Sequence, residues 1–310
     1  MIVVTGSLAY DYIMEFPGSF GDHILPEQTH NVNLSFIVDK FAKRRGGTAG
    51  NTSYTLGLLK TPHILFSYVG NDFNDYKKDF KRLNIDTSYI HVIKDEHTST
   101  GFAMTDRSQN QIWGYYYGAG IHNLNLKLAT IKDPIDLVLI GPQGAEGSMS
   151  FIKECIELKI RYMFDPGFIL TQVNDKDLTL GIAHADIIIG NDYEINLIKS
   201  RVKDFQKLTK EKIVITTLGE KGALIEDKGQ ILSINPVKID TVVSTTGAGD
   251  AWRGGFLAGL TRNFDLHTCG QMGAVAGSFA VTKFGTQEHK YSVKEFERVY
   301  RQTYKSLLKL

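Results

Sequence analysis

Thr241-Val-Val-Ser-Thr-Thr-Gly-Ala-Gly-Asp250-Ala-Trp-Arg-Gly-Gly255 is the stretch that decides how the rest of this chain is read. A strand-like Thr241-Val-Val leads into Gly247 and Gly249, and a helical pattern rich in small residues (Ala251, Gly254, Gly255, Ala258, Gly259) follows. Glycines so placed permit a tight turn whose amides point inward at the positive end of the next helix, which makes an anion hole. Such amides can stabilise the charge on a transferring phosphoryl group, and Asp250 stands where a carboxylate can take the proton of an attacking hydroxyl. Taken alone, the string favours the plainer reading, in which Asp250 caps a helix and the glycines only make a turn. It is not a dinucleotide fingerprint, because Trp252 occupies the third glycine of G-x-G-x-x-G, and no G-x-x-x-x-G-K-[ST] occurs anywhere.

Upstream, short β-branched runs at Ile2–Thr5, Ile64–Val69, Leu137–Ile140, Arg161–Phe164, Ile187–Gly190 and Ile213–Thr217 alternate with helical patterns. Those patterns include Ala49–Leu59, Phe73–Leu83 and Ser148–Leu158. Alternation of this kind predicts an α/β fold with a mostly parallel sheet covered by helices. Asn31–Val38 and Gly101–Tyr117 interrupt it; the second reads as a hairpin about the polar Asp106–Gln111 turn. Together they predict a small separate β-sheet built from two insertions, at about 13–43 and 98–121, in a single domain spanning 1–310. After Asp250 the pattern is helical, over Ala251–Thr261, Leu266–Lys283 and Val293–Leu308.

At 310 residues and 42% apolar composition the chain can bury a large core. Thirty-five basic against thirty-four acidic residues leave no global field to attract nucleic acid or an anionic membrane, so an anionic ligand must be held by local geometry. Cys155 and Cys269 are too few for a disulfide framework and read as core residues. No apolar stretch approaches the roughly 18 residues of a membrane span, and the expectation is a soluble cytoplasmic protein. The nine histidines show no metal-ligand spacing. The basic run Lys40–Arg45 reads as a solvated edge, and Tyr115, Tyr116 and Tyr117 as aromatic residues of a half-buried strand.

A second cluster, Gly46-Gly-Thr-Ala-Gly-Asn51, opens the Ala49–Leu59 helix, where paired glycines let a ligand approach the backbone and Asn51 offers a donor and an acceptor. Gly-Gly-x-x-x-Asn early, Asn191-Asp-Tyr-Glu194 midway and Thr-Thr-Gly-Ala-Gly-Asp late, in that order, resemble the ribokinase-like, or PfkB, family of sugar and nucleoside kinases over essentially the whole chain.

The resemblance implies a three-layer α/β/α sandwich with a small β-sheet lid. It implies that Asp250 is the catalytic base, with Thr246, Gly247, Ala248 and Gly249 as the anion hole for the γ-phosphate. Asn191 and Glu194 match the motif that helps to place Mg2+ beside ATP, usually through water, and Thr217, Gly219 and Gly222 match the segment that lines the nucleotide. Asp11 matches the aspartate that grips substrate hydroxyls, and Gly46, Gly47 and Asn51 match the substrate loop. One position departs from the pattern: Ser244 stands where the family usually has an aspartate that contributes to a monovalent-cation site, so potassium activation is left open.

Gly46–Asn51, the lid segment Asn33–Asp39 with Asn33 and Phe36, and Gly285-Thr-Gln-Glu-His289 look like the adenosine-kinase-like branch, whereas ribokinases tend to carry lysine at the position of Thr48. The expected acceptor is therefore the 5′-hydroxyl of a nucleoside, adenosine first. A free furanose such as ribose or fructose is the alternative, and a non-catalytic sugar or nucleotide sensor the second. The resemblance fits a monomer or a homodimer.

Overall fold

The computed structural model describes residues 1–24, 33–108 and 110–310. Its first strand, β1 (Ile2–Thr5), shows why the fold is layered: all four side chains are buried, as only a central strand covered on both faces allows. Along the chain follow β2 (Ala9–Glu15), β3 (Lys40–Gly46), α1 (Thr48–Leu58), β4 (His63–Leu65), β5 (Ser67–Gly70), α2 (Asn74–Arg82) and β6 (Ile90–Ile93). Next come β7 (Ser99–Thr105), β8 (Gln111–Tyr116), β9 (Leu137–Ile140), α3 (Ala145–Leu158), β10 (Tyr162–Phe164), α4 (Asp175–His184), β11 (Ile187–Asn191), α5 (Asp192–Arg201) and α6 (Phe205–Thr209). The chain closes with β12 (Ile213–Thr217), β13 (Ala223–Asp227), β14 (Gln230–Ile234), α7 (Ala248–Leu260), α8 (Leu266–Ala280) and α9 (Val293–Tyr304).

The main sheet runs β14-β13-β12-β11-β10-β9-β1-β4. It is parallel from β4 to β12, and an antiparallel β13–β14 hairpin finishes the other edge. Pleating sends alternate residues to opposite cores. Ile2, Val4, Leu137 and Leu139 join Leu56, Tyr76, Phe256, Met272 and Phe296, which lie on α1, α2, α7, α8 and α9. Val3, Val138 and Ile140 join Phe151, Ile182, Ile195 and Phe205, on α3 to α6. This is the expected α/β/α sandwich. Cys155 and Cys269 are free and buried in these cores.

A separate four-stranded sheet, order β3-β2-β7-β8, stands apart from the main one. Its register puts Asp11, Gly101 and Tyr115 on one face and Tyr12 and Phe102 on the other. On that outer face the rings of Tyr12 and Phe102 stack at 5.4 Å.

Several expectations need correction. Asn31 and Val32 lie outside the described residues, as does Gln109 of the expected turn, and 33–38 carry no strand. The strand of that region is the basic run Lys40–Gly46, which pairs with β2 over its full length and sets Lys40 on Glu15 at 2.6 Å and Lys43 over the Tyr10 ring at 3.8 Å. Its charges decorate a hydrogen-bonded edge rather than forbidding one. Ile64–Val69 is two strands in two sheets, interrupted at Phe66. Thr241–Val243 is extended without being a strand: Val243 and Ser244 merely donate their amides to the Val281 carbonyl. The last two helices stop at Ala280 and Tyr304, the second because Lys305 is left-handed at φ 55°.

Candidate active site

The parallel strands end in a row, and the sequence-marked residues sit just beyond their carboxyl ends, where an open α/β sheet leaves room for a ligand. Asp250 lies in the first turn of α7, whose N-cap Gly247 has φ 82°. A side chain at Gly247 would also meet Thr286 Cγ2 at 2.7 Å, so both conformation and space require glycine. The amides of Gly249 and Asp250, in the first turn, have no intrahelical carbonyl to bond, which is what an anion site at a helix start requires.

Helix α1 brings Asn51 to this turn. Its Nδ2 donates to Asp250 Oδ2 at 2.8 Å, fixing one carboxylate oxygen. The close approach of α1 and α7 depends on Gly254, where a Cβ would stand 2.6 Å from Thr55 Cβ. Burial pushes the Asp250 carboxyl above its usual range; Arg253, one turn along, and the Asn51 hydrogen bond pull it back, and Glu194 adds to the rise.

Asp11 approaches from β2. Its carboxylate is lodged between two glycines: a Cβ at Gly46 would lie 2.0 Å from Asp11 Oδ2, and one at Gly101 would lie 2.8 Å from Oδ1. Burial first, and then the charge of Asp250, push Asp11 up to about 6. Gly47, at φ 85°, turns the chain into α1, and Thr48 N donates to Ser7 Oγ at 3.1 Å. A cleft lies between the small sheet and the segments before α7 and after α8, and Asp11, Arg44, Trp113, Ser244, Thr246 and Phe284 contribute to its wall.

Asn191 ends β11 and caps α5. Its Oδ1 accepts from Glu194 N at 2.8 Å, while Glu194 Oε2 accepts from Asn191 N at 2.7 Å, a reciprocal capping box. Thr217, at the end of β12, pairs with Asn191, and Gly219 and Gly222 follow with φ 60° and 90°. At Gly222 a Cβ would fall 2.0 Å from the Ile234 carbonyl. Ser244 Oγ accepts from Thr246 N at 3.3 Å, so this residue braces the turn as a neutral group.

Two marked residues stand elsewhere. Asn33 is exposed, and Phe36 packs against Phe16, Phe20 and His23 with centroids 4.7, 5.4 and 5.6 Å away; neither belongs to the cleft wall.

Reading the sequence missed a buried ion pair. Arg253 Nη2 donates to Asp165 Oδ1 at 2.8 Å, with Arg253 7% and Asp165 2% exposed, which ties α7 to the end of β10. A Cβ at Gly249 would lie 2.6 Å from Arg253 Nη1, so the guanidinium sits directly under the turn. Burial pushes Asp165 up to about 6 against the pull of Arg253. The three-residue step from Asp250 to Arg253 on one helix face was the signal available in the sequence.

Among the described residues no helix is long and apolar enough to cross a membrane, and no three His, Cys, Asp or Glu side chains gather as a metal cage.

The family model for pfkB family carbohydrate kinases matches residues 2–292. The nucleoside kinase of Methanocaldococcus jannaschii is 30% identical over 292 residues, covering 92% of each chain. The nucleoside kinase of Burkholderia thailandensis in complex with inosine superposes with a TM-score of 0.89 at 29% identity, over 99% of both chains. The same enzyme in complex with ADP-inosine gives 0.87 at 31% identity, over 100% of this chain and 98% of the other.

Proposed function

Because the chain belongs to the pfkB family of carbohydrate kinases, whose members move a phosphoryl group to an alcohol, we propose that it is an ATP-dependent nucleoside kinase acting on a 5′-hydroxyl. The observation that carries this reading is a pair of carboxylates brought together from two elements, Asp250 in the first turn of α7 and Asp11 on the small sheet, close enough for the charge of Asp250 to add to the rise of Asp11. A base and a hydroxyl grip held near each other are what phosphorylation of a sugar requires. Trp113 and Phe284 in the wall offer aromatic surface to a nucleobase, which a free furanose would leave unused. Relatives named nucleoside kinase support the same choice.

In this reading Asp11 accepts hydrogen bonds from the ribose hydroxyls, and the Gly46–Gly47 turn and Asn51 set the sugar against α7. Asp250 Oδ1, left free by Asn51, takes the proton as the 5′-oxygen bonds to the γ-phosphorus and the bond to the leaving ADP oxygen breaks. The turn from Thr246 to Gly249 receives the charge on the γ-phosphoryl oxygens. Thr217, Gly219 and Gly222 line the nucleotide at the ends of β11 and β12. The sheet of β2, β3, β7 and β8 is the lid, and its closure excludes water from the transfer.

Magnesium fits through water rather than by direct ligation: Asn191 and Glu194 spend their inner atoms on the capping box, and the described residues hold no carboxylate cage. When bound, it neutralises phosphate charge. The neutral Ser244 gives potassium no carboxylate here, and no monovalent cation is assigned.

The test is a panel of adenosine, inosine, other nucleosides, ribose and fructose with ADP release as readout. Turnover of nucleosides in preference to free sugars is expected. Turnover of free sugars alone would overturn the substrate class, and binding without ADP release would overturn the enzyme.

A further inference from the structure

A buried line of hydrogen bonds leads from Asp250 to the Gly46 turn through Asn51, Gln287 and Tyr76, of which neither Gln287 nor Tyr76 was marked as a site residue in the sequence. Asn51 Nδ2 donates to Asp250 Oδ2 at 2.8 Å, and Asn51 Oδ1 accepts from Gln287 Nε2 at 2.9 Å. The same Gln287 nitrogen donates to Tyr76 Oη, and Tyr76 Oη donates to the Gly46 carbonyl at 2.8 Å. Asn51, Gln287 and Tyr76 are 5%, 3% and 0% exposed, so no water competes for these positions.

The two ends dictate every proton in this line. A carboxylate and a peptide carbonyl can only accept. Asn51 must therefore turn its nitrogen to Asp250, and Tyr76 must give its proton to Gly46. Burial pushes the Tyr76 phenol far up, so it keeps that proton. What remains between them is an amide oxygen and a hydroxyl lone pair, both acceptors, and the group that joins them has to donate twice from one atom. A primary amide nitrogen does so without carrying charge.

Gln287 Oε1 is buried with no hydrogen-bond partner among the described residues. An unmatched buried carbonyl is a cost to the fold that methionine, of similar length, would not incur. The glutamine is thus a poor choice for packing and a good one for orienting its neighbours.

We propose that Gln287 is a positioning residue for the phosphoryl transfer: by donating to Asn51 and Tyr76 together, it holds the Asn51 amide nitrogen toward Asp250 and links that setting to the Gly46 turn. The inference rests on Asp250 being the base. It gives the late Gly285–His289 segment, whose Gly285 and Thr286 line the cleft, a second part in the site through the buried Gln287.

Steady-state kinetics and thermal melts of Gln287→Met, Gln287→Glu, Tyr76→Phe, Asn51→Ala, Asn51→Ala with Gln287→Met, and Asp250→Asn test it. Gln287→Met should lower kcat by about tenfold to a hundredfold, as small misplacements of a reacting group do, with KM for ATP within about twofold and no loss of Tm. Gln287→Glu, nearly identical in shape but an acceptor where donors are needed, should lose at least as much. Tyr76→Phe, which leaves the Gln287–Asn51 bond intact, should lose less. The double variant should be no slower than Asn51→Ala, since both changes break one line. Wild-type kcat in both Gln287 variants, or multiplied losses in the double variant, would overturn the inference while an inactive Asp250→Asn left the base in place. An active Asp250→Asn would overturn the base and this inference with it.

Discussion

At the residue scale the site is made of carboxylates held where they are uncomfortable. Asp11 titrates at about 6 in the folded chain against 3.8 for an ordinary aspartate, so the folded state binds its proton more tightly than the unfolded one. The sign follows: protonated Asp11 suits the fold, and stability is lost as pH rises from about 4 through about 6. Asp11→Asn should therefore raise stability above that range by roughly 1–3 kcal/mol, measured by denaturant melts at several pH values, while weakening nucleoside binding. Asp250 is displaced in the same direction by burial, with Arg253 opposing. As a base it works only when ionised, so kcat/KM should fall on the acid side with an apparent pKa above the usual carboxylate range, and Asp250→Asn should abolish most of kcat while nucleotide binding survives. A flat acid limb, or a rapid Asp250→Asn enzyme, would contradict the assignment.

At the element scale, helix ends and helix contacts do the positioning. Asn191 is visibly a helix cap and by proposal a partner of the hydrated magnesium; Asn191→Ser separates the two, because serine caps nearly as well but lacks the amide. Stability should stay within about 0.5 kcal/mol of wild type while KM for Mg-ATP rises severalfold; an unchanged KM would reduce Asn191 to its cap. Helices α1 and α7 touch through Gly254. Gly254→Val should cost about 1–3 kcal/mol by overpacking, and should lower kcat beyond what stability explains, because it pushes Asn51 away from Asp250. Retained kcat in a destabilised Gly254→Val would uncouple the helix contact from the base. Much at this scale was legible: Gly247, Gly249 and Asp250 announced a turn before a helix, and the turn is there. The strand β3 was not, because Lys40-Phe-Ala-Lys-Arg-Arg45 has the charge of a surface loop, and only pairing with β2 reveals it as an edge strand.

At the scale of the whole molecule, the cleft exists because the small sheet faces the segments before α7 and after α8 across it. Trp113 stands on the smaller sheet, 46% exposed and part of the cleft wall, whereas Trp252, the other tryptophan of the chain, is 6% exposed on α7. Closure of the lid on a nucleoside should therefore change the intrinsic tryptophan fluorescence, and Trp113→Phe should remove most of that change; a signal that persists in Trp113→Phe would argue against lid movement at this cleft.

The amino-acid order by itself determined the alternating α/β plan, the anion turn with its aspartate and the family, since these rest on local periodicity and on glycines whose backbone demands are visible one residue at a time. It did not reveal the line from Gly46 through Tyr76, Gln287 and Asn51 to Asp250, or the Arg253–Asp165 pair. Nor did it show that Phe36, marked as a substrate contact, packs against Phe16, Phe20 and His23. The reason is physical: a hydrogen bond between residues 236 positions apart, such as Gln287 to Asn51, has no local signature, and only the packing of α1, α2 and the segment after α8 around one buried point brings its donor to its acceptor.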